Sequence, residues 1–323
     1  ALQGRAWAVS WGVPGWGEAP DPGLARARAE GLARAVAEAG ASGGEGASIS
    51  LSLRPEWSEE EYTVACGRVL EGIASGECYQ GCLTFALRGP RPAGVSARSL
   101  WAALCAAQPA PFAALVAAGE PVALASASPE RFLQVRGDLA QVRPMKGTRP
   151  RGVDLAEDAR LRAALVASEK DQAENLMIVD LMRNDLGRAC ALGSVEVPEL
   201  FTIEEHPTVF QMTSTVEGRL RPGVSALAAA RACFPPGSMT GAPKVQAMRL
   251  LESLEASPRG WYSGVVGYLS GCGDADLSVV IRAAQVSARE VAWHVGGGVV
   301  ADSTAQGEWE EALGKYTAAW RSA

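Results

Sequence analysis

The sequence predicts an α+β protein with largely antiparallel sheets. Two observations predict it: strand-like runs follow one another directly in twos and threes, and they do not alternate strictly with helices. The 323 residues, 48% apolar and 20% charged, have ordinary globular composition and suit one large domain or two small ones. No internal repeat is visible.

Residues 1–54 read as a short variable segment: a Trp/Gly/Pro-rich opening, an Ala/Arg/Glu helix at about 23–39, and a flexible Gly-rich connector from Gly40 to Gly46. A boundary near residue 54 leaves 55–323 as the main domain. Ser58 with Glu61 has the spacing of a capping box, opening a helix to about Ser75 that Gly76 stops. Cys78–Leu87 reads as a strand, as does Val122–Ser126. Arg131–Arg136 and Leu139–Arg143 form a hairpin across Gly137 and Asp138. Ser168 with Asp171 suggests a second capping box, for a helix to Leu186 ended by Gly187. A helix beginning near Pro243 carries an apolar stripe at Ala247, Leu250, Leu251 and Leu254. Three strand-like runs follow, Tyr262–Leu269, Leu277–Val286 and Val291–Val295, then a last helix at about Gly307–Ser322.

Several function classes drop out. A net charge of −6 lacks the positive field that supplies most nucleic-acid affinity. The Ala-rich stretch 102–119 is broken by Gln108, Pro109 and Pro111, well short of a membrane span, and the first residues lack a secretory-signal layout. Seven cysteines without a CxxC pair read as reduced thiols of a cytoplasmic protein, and two histidines make a His-rich metal site improbable.

The chemistry-bearing patterns are individually modest. Gly40 to Gly44 matches G-x-S-x-G, but no apolar strand leads into it. Gly237 to Lys244 resembles a phosphate loop only superficially, since Val245 stands where a magnesium-binding hydroxyl belongs; it is a turn feeding a helix N-terminus that suits a carboxylate, or simply a capped helix start. Asp171 and Glu174 share one helix face, as do Glu308, Glu311 and Lys315. Four converging carboxylates would need a hard cation such as magnesium; two solvated charged faces are the plainer reading of spacing alone. Gly296, Gly297 and Gly298 could form an anion-binding nest or an ordinary loop. Lys146 lies among Arg143, Arg149 and Arg151, like charges that disfavour an ammonium and leave a nucleophilic amine. A solvated basic loop is the alternative.

In order along the chain, these segments resemble the chorismate-utilising enzymes: Ser128-Pro129-Glu130-Arg131-Phe132, Pro144-Met145-Lys146-Gly147-Thr148, Ala173 through Asp185, Thr240-Gly241-Ala242-Pro243-Lys244, Gly267-Tyr268, Ile281-Arg282 and Gly296 through Ser303. The resemblance runs from about residue 57 to the C-terminus and implies antiparallel sheets around a core flanked by helices. It implies magnesium (Mg2+) held by Glu174 and Glu311, with Asp171 and Glu308 around them. It further implies that Arg282, Tyr268, the amides of Gly296, Gly297 and Gly298, and Lys315 hold substrate carboxylates, while Thr240, Gly241, Gly147 and Thr148 line the ring site. Glu130 corresponds to the general acid that protonates a departing hydroxyl. Gln80 stands where water-adding members usually carry Lys, which points to ammonia. Lys146 stands where anthranilate synthases usually carry Ala, which points to a covalent lysine and amination of chorismate at C4. The partners implied are chorismate, a separate glutaminase subunit and a downstream aminodeoxychorismate lyase. Anthranilate synthesis and a non-catalytic chorismate-binding subunit are the alternatives. Two departures stand out: no His within Val209 to Ser214, where members often have one, and Cys82 in place of a frequent Asn.

Overall fold

The computed structural model describes residue 49 and residues 51–117, 122–206 and 209–320. The expected helix at 23–39 and the Gly-rich connector lie outside these. Strands form two sheets in which every pairing is antiparallel. The first sheet runs β1 (Arg54–Pro55), β2 (Gln80–Pro90), β14 (Glu290–Val299), β13 (Ala283–Ser287), β4 (Val122–Ser128) and β3 (Phe112–Val116), with β10 (Gly241–Ala242) also on β2. The second runs β11 (Val265–Leu269), β12 (Ala275–Val279), β5 (Arg131–Arg136), β6 (Leu139–Val142), β9 (Val209–Arg219) and β7 (Met145–Pro150), with β8 (Glu196–Glu205) on β9. The α+β expectation holds.

Each sheet has its own core. Helices α1 (Glu59–Ala74) and α7 (Ala305–Trp320) cover the first, where Tyr62, Phe85 and Trp309 meet with ring centroids 5.0–5.5 Å apart. Burying a side chain such as Phe85 stabilises the fold by roughly 2–3 kcal/mol. Ser58 and Glu61 make the expected capping box at the start of α1. Leu51 and Leu53 already belong to this core. Helices α4 (Glu169–Gly187) and α5 (Ala226–Cys233) cover the second sheet, burying Ile178, Val179, Met182 and Leu186 against Phe132, Val142 and Val216. At the start of α4 only half of the expected box forms: Ser168 accepts from the Asp171 amide, but the Asp171 carboxylate bonds Arg149 at 2.7 Å. Gly187 is the last helical residue, and Arg188 caps the end.

Three sequence expectations need correction. Leu277–Val286 is two strands in different sheets, because the chain turns at 280–282, where Arg282 takes φ 48°. The basic loop around Lys146 is strand β7, paired with β9. Gly296, Gly297 and Gly298 are neither nest nor loop: β14 continues through them, paired with Thr84, Leu83 and Cys82 of β2. Helices α2 (Ala97–Ala107) and α3 (Leu155–Val166) and the β8–β9 hairpin carried no reading from sequence; α6 (Lys244–Leu254) follows Pro243 as expected. All seven cysteines are free. Among the described residues no helix is long and apolar enough to cross a membrane.

Candidate active site

The chain passes between the two sheets four times, and two of the crossings touch. Residues 129–130 link β4 to β5, residues 280–282 link β12 to β13, the Val279 amide donates to the Glu130 carbonyl (3.1 Å), and the Ala127 amide donates to that of Arg282 (3.0 Å). Glu130 and Arg282 therefore share one corner. A left-handed L-residue costs roughly 1–2 kcal/mol, which the packed crossing must offset at Arg282. Its guanidinium has no ion-pair or hydrogen-bond partner among the described residues, so it is available to an anion. Glu130 is 6% exposed and accepts from Ser238 Oγ at 2.6 Å. Burial pushes its pKa up to about 7, against the lowering effects of the Ser238 hydrogen bond and of Lys146. A carboxylic acid partly protonated at neutral pH can give its proton to a leaving group.

Opposite this corner, the glycines of β14 create room. A Cβ on Gly298 would lie 2.6 Å from Gln80 Nε2 and 3.2 Å from Lys146 Nζ, so its absence lets amide and amine approach the strand. Gln80 is fully buried, and neither polar atom of its side-chain amide has a partner among the described residues. Leaving such a group unsatisfied costs about 1–3 kcal/mol, which a ligand bound there would relieve. Lys146 Nζ lies 3.6 Å from Glu174. The crowding by arginines expected from sequence does not occur. Arg143 pairs with Glu204 and Glu199, Arg149 with Asp171, and Arg151 with Asp158, so the nearest charge to Lys146 is a carboxylate.

The four expected metal carboxylates divide. Glu308 and Glu311, one turn apart on α7, converge on Gly297, where a Cβ would stand 2.6 Å from Glu308 Oε2 and 3.9 Å from Glu311 Oε1. Burial and the Glu311 charge raise Glu308, while its bond from Ser303 Oγ (2.6 Å) acts the other way. Against the burial that would raise it, Lys315, Lys146 and Lys170 hold Glu311 below the ordinary carboxylate range. Lys315 also donates to the Gly296 carbonyl at 2.8 Å. Glu174 sits between Lys146 and Lys170, and Asp171 is committed to Arg149. Among the described residues no three His, Cys, Asp or Glu side chains group closely enough to hold a metal. Magnesium keeps several waters and needs only one or two carboxylates, so the oxygen donors Glu308, Glu311 and Glu174 suit it, whereas Asp171 does not.

The ring-site residues are spread. Gly147 and Thr148 follow Lys146 on β7. Thr240 spends its hydroxyl on the Pro236 and Gly237 carbonyls, and Gly241 presses on the Gln80 backbone, where a Cβ would meet Gln80 O at 2.1 Å. Tyr268 lies opposite Asp276, three residues along β12 from Val279, or roughly 10 Å from the Glu130 crossing. Tyr262 is closer to the corner: buried, stacked on His294 at 5.2 Å, and within the field of Glu130. Sequence reasoning singled out neither Tyr262 nor Ser238. Both stand beside residues that it did single out, but nothing local says which way they face.

A family model described as chorismate binding enzyme matches residues 18–321. The chain belongs to that family. An aminodeoxychorismate synthase of Streptomyces pristinaespiralis is 50% identical over 75% of this chain and 33% of that protein. An aminodeoxychorismate synthase component 1 of Klebsiella aerogenes is 42% identical over 83% of this chain and 59% of that protein. The chain thus spans about a third to three fifths of the length of these relatives. Among solved structures, anthranilate synthase component I from Streptococcus pneumoniae TIGR4 superposes with a TM-score of 0.78 at 28% identity, covering 93% of this chain and 67% of that one.

Proposed function

We propose that the chain aminates chorismate at C4 to 4-amino-4-deoxychorismate, within para-aminobenzoate and folate biosynthesis. One observation carries the reading: Lys146 and the unpartnered Gln80 amide meet at Gly298, in a chain 42–50% identical to proteins named aminodeoxychorismate synthase. The lysine amine adds to ring C2 while the C4–O bond breaks, and Glu130 gives its proton to the departing hydroxyl, which leaves as water. Ammonia then adds at C4, the C2–N bond to Lys146 breaks, and the electron pair returns to the lysine. Arg282 would take a substrate carboxylate, and Lys315 would reach a second one only by sharing its charge with Glu311, to which it is paired at 2.8 Å. Glu174 and Glu311 would hold magnesium, with Glu308 beside Glu311, and the metal would supply charge neutralisation for a substrate carboxylate.

Ammonia would come from a separate glutaminase subunit, a reading supported by the designation component 1 carried by the Klebsiella relative. The product would pass to an aminodeoxychorismate lyase. Free cysteines throughout suit a cytoplasmic setting. The test is mass analysis of the full chain incubated with chorismate, magnesium and an ammonium salt. An aminated, non-aromatic product is expected; a fluorescent aromatic product would instead indicate anthranilate synthesis, and unchanged chorismate would sink both.

A further inference from the structure

Strands β7 and β9 fall out of step by one residue at Lys146. Met145 stands opposite Thr213 and Thr148 opposite Gln211, so three steps on β7 answer two on β9. The result is a bulge containing Lys146 and Gly147. A bulge bends its strand and re-aims a side chain, and it removes ladder partners from the backbone it displaces. Here one side chain makes good the loss: Gln211 Nε2 donates to the Gly147 carbonyl at 2.7 Å, and Thr148 Oγ1 donates to Gln211 Oε1 at 2.9 Å. The other side of the bulge is closed by helices. Gly147 has φ 86°, and a Cβ there would stand 2.9 Å from Asp171 Cβ on α4 and 3.0 Å from Leu165 Cδ1 on α3. Arg149, two residues further on, ties the strand to Asp171 at 2.7 Å.

We infer that Gln211 is a positioning residue: its carboxamide locks the bulge that aims Lys146 between Gln80 and Glu174. The inference rests on the reading of Lys146 as the reacting amine. Gln211 touches none of the reacting atoms and acts through the backbone of Gly147. The position requires a group that donates to a carbonyl and accepts from a hydroxyl at once, and a carboxamide does both. A carboxylate of the same shape only accepts, and a thioether of the same length offers no N–H.

The test uses the full chain with four variants: Gln211→Met, Gln211→Glu, Gln211→His and, as control, Gln141→Met on neighbouring β6, where the amide reaches Glu217 at 3.3 Å. Ammonia-dependent kcat, KM for chorismate, the rate of chorismate adduct formation on the Lys146 peptide and the thermal midpoint are measured together. Gln211→Met and Gln211→Glu should lower kcat and adduct rate by about 10- to 100-fold while KM changes by no more than about twofold, since a small misplacement of a reacting group costs rate before it costs binding. Gln211→His, with one ring N–H and one ring acceptor, should recover most of the rate, and Gln141→Met should match the wild type. Wild-type kcat and adduct rate in Gln211→Met, in a protein where Lys146→Ala abolishes both, would overturn the inference while leaving the reading of Lys146 intact. Retention of both in Lys146→Ala would remove that reading and the inference with it. A parallel fall of thermal midpoint and rise of KM, with no recovery in Gln211→His, would make Gln211 a fold residue only and likewise overturn it.

Discussion

Glu130 and Glu311 are the same side chain under the influence of the same Lys146, yet they titrate in opposite directions. Glu130 lies in the dry corner between the sheets, 6% exposed, and burial raises it to about 7. Glu311 has a side chain 61% exposed on α7, and lysines lower it despite the burial of its surroundings. One side of the site thus keeps a carboxylic acid that can give up a proton, and the other keeps carboxylates that can hold cations. Burial raises both, so the difference teaches that the number of nearby cations decides which carboxyl keeps its proton: Lys146 alone acts on Glu130, whereas Lys315, Lys146 and Lys170 act on Glu311.

The largest effects should come from removing either side's principal. Glu130→Gln and Lys146→Ala should each lower ammonia-dependent turnover by at least about 100-fold, the range for a positioned proton donor. Wild-type rates in Glu130→Gln would erase the contrast, because the dry corner would then have no chemical part. Next come the charged side's carboxylates. Glu174→Gln and Glu311→Gln should weaken magnesium binding by about tenfold or more in direct titration, and excess chelator should stop turnover. Turnover that persists in chelator would contradict the metal role.

A smaller effect sharpens the comparison through pH. With Glu130 as an acid near 7, kcat/KM should fall on the alkaline side with a midpoint near that value. Ser238 donates to the charged form of Glu130 and so lowers it; Ser238→Ala should move this limb to higher pH. A limb that stays put, or moves down, means that another group titrates.

The smallest effects are on stability. Glu130 is raised above its unfolded value of 4.5, so its contribution is full below that pH and is lost as pH rises through about 7. His294, stacked on Tyr262, is pushed down by burial to about 4 from 6.5. Its contribution is present above 6.5 and is lost as pH falls through about 4. Denaturant titrations across this range should therefore show Glu130→Gln flattening the loss toward neutral pH and His294→Gln flattening the loss toward acid, each by at most a few kcal/mol. Identical slopes in variant and wild type would show that neither group is desolvated as its surroundings imply.

The residues of this candidate site stand out one by one in the sequence, whereas their pairings do not. Glu130, Lys146, Gln80 and the α7 carboxylates stand out in sequence because each belongs to a dense local motif, and the fold brings Lys146, Gln80 and Glu174 together beside Gly298 and the α7 pair to the adjacent Gly297. The arginines near Lys146 in sequence are instead drawn to carboxylate partners up to 61 residues away, on β8 and on two helices. The nest of Gly296 to Gly298 failed because a Gly triplet has no side chains to show that it will pair with β2.

The sequence by itself determined the helix starts at Ser58 and Ser168, the hairpin at Gly137, the antiparallel class and the residue types available for chemistry, since caps, turns and alternation are set within a few residues. Only the tertiary structure decided that Leu277–Val286 breaks between two sheets, that Asp171 leaves the carboxylate group for Arg149, and that a one-residue bulge with Gln211 across it aims Lys146. Each of those depends on what faces a residue from a distant element. Burial, ion pairing and register are properties of that meeting, and local sequence carries no term for it.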